Sequence, residues 1–151
     1  MTSSAPDLPE RAEEMICFAV YAASHAMTRA YQPMLKPLGL TYPQYLVLTV
    51  LWADDIQTVG ALGGRLGIES NTLTPLLKRL EATGHVKRRR GEDDERRVFV
   101  SLTSQGATLK EKAPEITRRI IESTGMGLDD LTQLVETLSR MKQSLTPTDR
   151  I

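Results

Sequence analysis

The chain has 151 residues, of which 40% are hydrophobic and 25% charged, with ten glycines and eight prolines. These are values of one globular domain of ordinary size, and they exclude disordered, collagen-like and low-complexity classes. Nineteen basic residues cancel nineteen acidic ones, so net charge selects no partner and only the distribution of charge can.

In chain order, the opening MTSSAPDLPERAEEM has no basic stretch followed by an apolar one, so no secretory signal is expected. From Glu10 to Gln32 the spacing predicts a helix with Ile16, Val20, Ala23, Met27 and Ala30 on one apolar stripe, closed by Pro33 and Pro37. Tyr42 to Trp52 predicts a second, very apolar helix. It falls well short of the roughly 18 residues a spanning helix needs, so no membrane partner is expected. Thr58 to Leu66 predicts a short helix with Val59, Leu62 and Leu66 facing inward. Gly67-Ile68-Glu69 predicts a tight turn, after which Ser70, Asn71 and Thr72 are candidate N-caps. The following helix carries Leu73, Leu76, Leu77 and Leu80 and stops at Gly84, a C′ glycine. Pro75 is expected near its first turn, with Asn71 or Thr72 as the cap. Two strands, His85 to Arg90 and Arg96 to Leu102, flank the polar GEDDE, and Val98, Val100 and Leu102 share one face. Thr103 to Thr124, with a kink expected from Pro114, and Leu128 to Leu145 predict two further helices separated by Gly125 and Gly127. Helix, turn, helix and hairpin is the order of a winged helix-turn-helix. Six helices and one small ribbon make the fold class mainly α.

Charge is concentrated in one place. Nine basic and six acidic residues lie between Arg65 and Arg97, with four basic ones consecutive from Lys87 to Arg90. A helix-turn-helix presents the N-terminal residues of its second helix to base edges in the major groove. Here those are Ser70, Asn71, Thr72 and Thr74, whose short polar side chains suit phosphates or bases, and Pro75, which suits a thymine methyl. Lys78 and Arg79, one turn on, are placed to neutralise phosphates. Arg96 at the hairpin tip suits the narrow minor groove, with Asp94 placed to hold its guanidinium. Alone, the helix residues would read as caps and the hairpin as a solvated loop. Side by side they read as a nucleic-acid surface.

The segment LGIESNTLTPLLKRLEATGHVKRRRGEDDERRVFVSLTSQG resembles the core of the MarR family of transcription regulators, and Asp94-x-Arg96 followed by Leu102-Thr103 and Gly106 resembles its wing pattern. The resemblance extends over nearly the whole chain. It implies a single winged-helix domain over 1–151, with dimerisation helices at 8–36 and 103–145 and a DNA-binding part at 42–102. Within that part the helix-turn-helix would occupy about 58–84 and the wing about 85–102. It further implies a homodimer on a pseudo-palindromic operator in double-stranded DNA. One departure is Gly63-Gly64 inside the first helix of the motif, where each glycine costs roughly 1 kcal/mol relative to Ala, so that helix should depend on packing.

Cys17 is the one cysteine, which excludes an internal disulfide and paired-cysteine zinc patterns and leaves a reducing cytoplasm as the expected location. A lone cysteine on an apolar helix is ordinarily an inert small hydrophobe. The tyrosines around it argue for reactivity, because phenol hydroxyls stabilise the thiolate, which is the nucleophile. Tyr21 lies one turn away. Tyr31 lies about 21 Å along the helix axis and could reach Cys17 only from a second subunit. Tyr42 opens the next helix. CFAVYAAS, MTRAYQPML, PLGLTYPQYLVL and TLTPLLKRLE resemble the organic hydroperoxide resistance regulators, a redox-sensing branch of that family. The resemblance places the peroxide-reactive cysteine at Cys17 and its hydrogen-bonding tyrosines at Tyr31 and Tyr42, with Tyr21 nearby. It implies a repressor, with an organic hydroperoxide as inducer, released from DNA on oxidation. Lacking a second cysteine, this chain resembles the one-cysteine type, whose sulfenic acid meets a small external thiol, cyclises onto a backbone nitrogen or oxidises further.

His25 and His85 form no metal-like grouping, and no cofactor or metal is expected. A peroxidase needs a way to recycle its sulfenate, so no enzyme is expected either. The remaining alternative is a MarR-type repressor released by a small aromatic ligand, with Cys17 incidental.

Overall fold

The structure, a computed structural model, describes residues 11–147. It divides into two compact units that meet at Ala113 and Pro114. Among the described residues no helix is long and apolar enough to cross a membrane.

The first unit begins with α1 (Ile16–Leu35), preceded by a 3-10 turn at Ala12–Glu14. The predicted start at Glu10 lies outside the described residues. Pro33 does not close α1 but sits inside its last turn. There its missing N–H removes a single bond to Arg29, and the chain stays helical until Lys36 donates to Gln32. Closure comes instead from a second 3-10 turn, Lys36–Leu38, which holds Pro37 and ends on Gly39 at φ +70°.

Thr41 opens α2 (Tyr42–Ala53) with a capping box: its hydroxyl accepts from the Gln44 N–H, and the Gln44 side chain accepts from the Thr41 N–H. As its uniform apolarity predicts, α2 is a core helix, with Tyr45, Val47, Leu48 and Leu51 buried. Next come β1 (Gln57–Thr58), α3 (Val59–Leu66) and α4 (Ser70–Ala82). The strands β2 (Val86–Arg90) and β3 (Val98–Leu102) and the short α5 (Ser104–Thr108) follow. Leu62, Leu73, Leu76, Leu77, Leu80, Val86 and Val100 complete the core of this unit, while Val59 and Leu66 are half-buried. Gly84 is at φ +82°, and the His85 N–H returns to the Leu80 carbonyl, a Schellman closure of α4.

Strand order is β1-β3-β2, antiparallel throughout, with Arg90 opposite Val98 and Gln57 opposite Val100. The sequence leads one to expect a two-stranded ribbon. The third strand escapes because two residues cannot show a period. Asp55 fixes it in place by accepting at 2.9 Å from the Leu102 N–H.

Of the three glycines inside α3, Gly60, Gly63 and Gly64, one is required. A Cβ on Gly63 would stand 2.6 Å from the Ile68 carbonyl oxygen, whereas on Gly64 it would meet nothing within 4 Å. The motif's turn thus closes onto the bare backbone of Gly63. We expect Gly64→Ala to raise stability by roughly 0.5–1 kcal/mol, and Gly63→Ala to lower it, in urea unfolding.

The predicted continuous helix from Thr103 to Thr124 is interrupted by a 3-10 turn at Leu109–Lys112 before α6 (Ala113–Thr124). Pro114 has no N–H for the Lys110 carbonyl, and its ring crowds that oxygen, so the preceding turn tightens. In the second unit, Ile116 and Ile120 of α6 are buried, and its exposed face pairs Arg118 with Glu115 and Glu122, and Arg119 with Glu115. Gly125 at φ +66° follows, and then α7 (Leu128–Leu145). The apolar stripe of α7 stays in the open, with Leu128 66% and Val135 62% exposed. The same holds for α1, where Ile16 is 66% exposed and Phe18, Val20 and Met27 are also uncovered.

Candidate nucleic-acid interface and thiol site

The structure starts α4 at Ser70, one residue before the predicted caps. The cap is Glu69, used through its backbone only, its carbonyl accepting from the Thr72 and Leu73 N–H groups at 3.0 and 2.9 Å. Neither Asn71 nor Thr72 is therefore the cap. Both lie with Ser70 in an exposed first turn. Pro75 is the sixth residue of the helix rather than part of its first turn. The carbonyl it leaves without a donor is that of Asn71, at the solvent end, where the loss costs least. Lys78 and Arg79 are exposed one turn on, and Thr74 is half-buried.

The hairpin beside α4 is organised by its own acidic loop. The Gly91 N–H donates to the Arg97 carbonyl at 2.7 Å, and the Arg97 N–H to the Asp94 carbonyl at 3.1 Å. The Asp94 carboxylate accepts from the Arg96 N–H at 3.0 Å and from its guanidinium at 3.1 and 3.4 Å. Those bonds hold the Asp94 carboxyl below the usual carboxylate range. The expected Asp94–Arg96 pairing is thus present, with the Arg96 side chain 91% exposed at the tip.

Between α4 and this hairpin lies an open cleft of about 430 Å³ that sequence reasoning misses. Ser70 and Thr74 line one wall, Thr58 stands at the start of α3, and Arg88, Arg96 and Arg97 project from the strands and loop. Each arginine has an internal partner. Arg97 lies over the Phe99 ring at 5.2 Å, and Arg96 is held by Asp94. Arg88 is bound most tightly, since Glu81 accepts its main-chain N–H at 2.7 Å and its guanidinium at 3.0 and 3.2 Å. No sequence signal marks the Glu81–Arg88 pair, because the turn that folds β2 back along α4 brings the two together.

The thiol residues are divided. Cys17 is exposed in the first turn of α1, and Tyr21 is exposed with its ring 4.4 Å from that of His25. Tyr31 and Tyr42 stack at 4.4 Å, half-buried, where α1 meets α2. Tyr45 joins Tyr31 at 5.7 Å and Trp52 joins Tyr45 edge-on at 5.7 Å, extending the cluster by two aromatics not singled out from sequence. Burial pushes the Tyr31 hydroxyl up to about 12 and raises that of Tyr42, so both are O–H donors at neutral pH. His85 is buried, with Nδ1 2.8 Å from the Thr83 hydroxyl, and desolvation lowers its pKa. Among the described residues no three His, Cys, Asp or Glu side chains are grouped to hold a metal ion.

Residues 29–113 match the family described as transcriptional regulator SarA/Rot. The transcriptional regulator TtmR of Methylorubrum extorquens is 47% identical over 96% of this chain and 74% of its own. The organic hydroperoxide resistance transcriptional regulator of Bacillus subtilis is 45% identical over 88% of this chain and 90% of its own. A solved structure of reduced AbfR bound to DNA superposes with a TM-score of 0.72 at 37% identity, over 87% of this chain and 91% of that one. These relatives are transcription regulators rather than enzymes. A helix-turn-helix, a basic hairpin and relatives of this kind together make the chain a DNA-binding winged-helix transcription regulator of the MarR family, related to the organic hydroperoxide resistance regulators.

Proposed function

We propose that this protein is a dimeric, one-cysteine repressor that leaves its operator when Cys17 is oxidised by an organic hydroperoxide. The observation that carries this reading is the Tyr31–Tyr42 pair. It is half-buried, protonated at neutral pH and out of reach of the Cys17 of its own helix. Two phenol donors pre-set beside one another suit an anionic acceptor supplied by a second subunit. The open apolar stripes of α1 and α7 supply the reason for that subunit, since each is a face that water destabilises. An interface on the order of 2,000 Å² or more would cover them.

The chemistry balances with the hydroperoxide as sole oxidant. The Cys17 thiolate attacks the terminal peroxide oxygen, an S–O bond forms, the O–O bond breaks, and the alkoxide leaves and takes the proton. The resulting sulfenate then condenses with a small external thiol, closes onto a backbone nitrogen or oxidises further.

On this reading residues 42–102 meet the DNA, with Ser70, Asn71, Thr72, Thr74 and Pro75 facing the major groove and Arg96 the minor groove. An operator duplex obtained by selection from a random pool provides the probe. Arg96→Ala is expected to weaken binding and relax preference for A·T-rich flanks. Lys78→Ala is expected to weaken binding to all duplexes and to flatten the salt dependence by about 0.9 per phosphate lost.

The direct test treats the protein–operator complex with limiting cumene hydroperoxide and follows release by gel shift and covalent change by intact mass. Release in step with gain of one oxygen per chain, formation of its thiol adduct, or the loss of two hydrogens that marks cyclisation is expected. Release without mass change would overturn the reading.

A further inference from the structure

Three arginines line the cleft between α4 and the hairpin, yet they are not equally available to DNA. Arg96 is 91% exposed and held by one neighbour in its own loop. Arg88, 24% exposed, is fixed by a carboxylate from another element, and that carboxylate also binds the main-chain N–H of the same residue. Two guanidinium bonds and one backbone bond converge on Glu81, so the cation is tied to the last turn of α4 even though Arg88 lines the cleft. A guanidinium so held cannot follow a phosphate without breaking a fork of charge-assisted hydrogen bonds.

We propose that Glu81 withholds Arg88 from the DNA backbone and so sets the level of sequence-independent affinity. This rests on the reading of α4 and the hairpin as the DNA face. Phosphate contacts add affinity to every sequence equally, whereas base and groove contacts distinguish one sequence from another. A cation at the cleft mouth would therefore raise binding to the wrong duplex as much as to the right one. With Glu81 present, the discriminating contacts from α4 and Arg96 account for a larger share of the total.

The test compares the full-length protein with Glu81→Gln on two duplexes, one selected from a random pool and one of shuffled sequence and equal composition. Freeing one cation per subunit is expected to tighten binding to the shuffled duplex about eightfold per subunit at about 0.1 M salt, with the salt slope steeper by about 0.9 per subunit. The selected duplex should gain by the same factor, leaving the ratio of the two affinities unchanged, because a phosphate contact carries no sequence information. Adding Arg88→Gln to Glu81→Gln should abolish the gain. A merely structural role for Glu81 predicts the opposite sign: weaker binding to both duplexes with no steeper slope, and that result, or no change, overturns the proposal. If thermal melting shows Glu81→Gln to be unfolded, Arg88→Lys carries the test. An ammonium cannot repeat the paired Nε and Nη2 bonds to Glu81 Oε1, so a smaller gain of the same sign is expected, and its absence overturns the proposal. If the wild-type protein selects no duplex and shows no salt-dependent binding, it is the DNA-face reading that fails, which none of the variant outcomes can imitate.

Discussion

Cys17→Ser protein is expected to bind its operator as the wild type does and to remain bound after hydroperoxide treatment, a complete loss of response. A serine hydroxyl replaces the thiol at nearly the same size, and the site is exposed within one chain, so fold and DNA face should be preserved. What disappears is the nucleophile. Tyr31→Phe and Tyr42→Phe should also bind normally but release DNA more slowly, because each removes a donor that favours the thiolate. On the proposed reading, oxidation would exchange that small anionic acceptor for a bulkier group and break the tyrosine bonds. The dimer frame should then carry the two recognition helices away from the roughly 34 Å spacing that successive major grooves require. Release that survives in Cys17→Ser would transfer the trigger to a small aromatic ligand. Gel shift with and without cumene hydroperoxide decides between them.

Gly106→Ala is expected to have the largest effect on stability of any glycine-to-alanine change in this chain. Its Cβ would stand 2.0 Å from the carbonyl oxygen of His85 and 3.0 Å from the carbonyl carbon, backbone atoms with no side-chain freedom to withdraw. The same residue is a hub. Its N–H donates to the Thr103 hydroxyl at 3.1 Å, and its carbonyl accepts from the Trp52 indole at 2.9 Å. The Thr103 hydroxyl in turn donates to the Gly84 carbonyl at 2.5 Å, and its N–H to the His85 carbonyl at 3.1 Å. Moving Gly106 thus pulls on α2, on the end of α4 and on the base of the hairpin together. Overpacking ordinarily costs about 1–3 kcal/mol, and this site belongs at or beyond the upper end. That is a large part of the roughly 5–15 kcal/mol available to a domain. Urea unfolding should show the loss, and operator affinity should fall with it even at temperatures where the protein is folded. A melt unchanged from wild type would mean that the His85 carbonyl can yield.

What the sequence makes legible here is what is encoded locally. The apolar run of α2, the hairpin with its acidic loop and the Asp94–Arg96 pair each depend on residues a few positions apart. Where local signals compete, reading fails: Ser70, Asn71 and Thr72 all favour a cap, yet the helix opens on the backbone of Glu69, leaving those three in its first turn. Contacts made by the fold leave no local mark. Trp52 and Gly106 are 54 positions apart, and Asp55 and Leu102 are 47 apart. Even so, the stack of Tyr31 on Tyr42 is the kind of grouping that one would seek once the tyrosines had been connected to a thiol.

The aromatic chain from Tyr42 through Tyr31 and Tyr45 to Trp52 also gives the molecule an optical property. Trp52 is the one tryptophan, and three of the four tyrosines lie in that chain. Excitation of those rings is expected to pass by resonance transfer through space to the single indole, whose N–H donates to the Gly106 carbonyl in α5. Ultraviolet emission is therefore expected chiefly from this one indole, beside the start of α5. An opening of the tyrosine stack at one end of the chain, or a shift of Gly106 at the other, would change its colour and yield without any label.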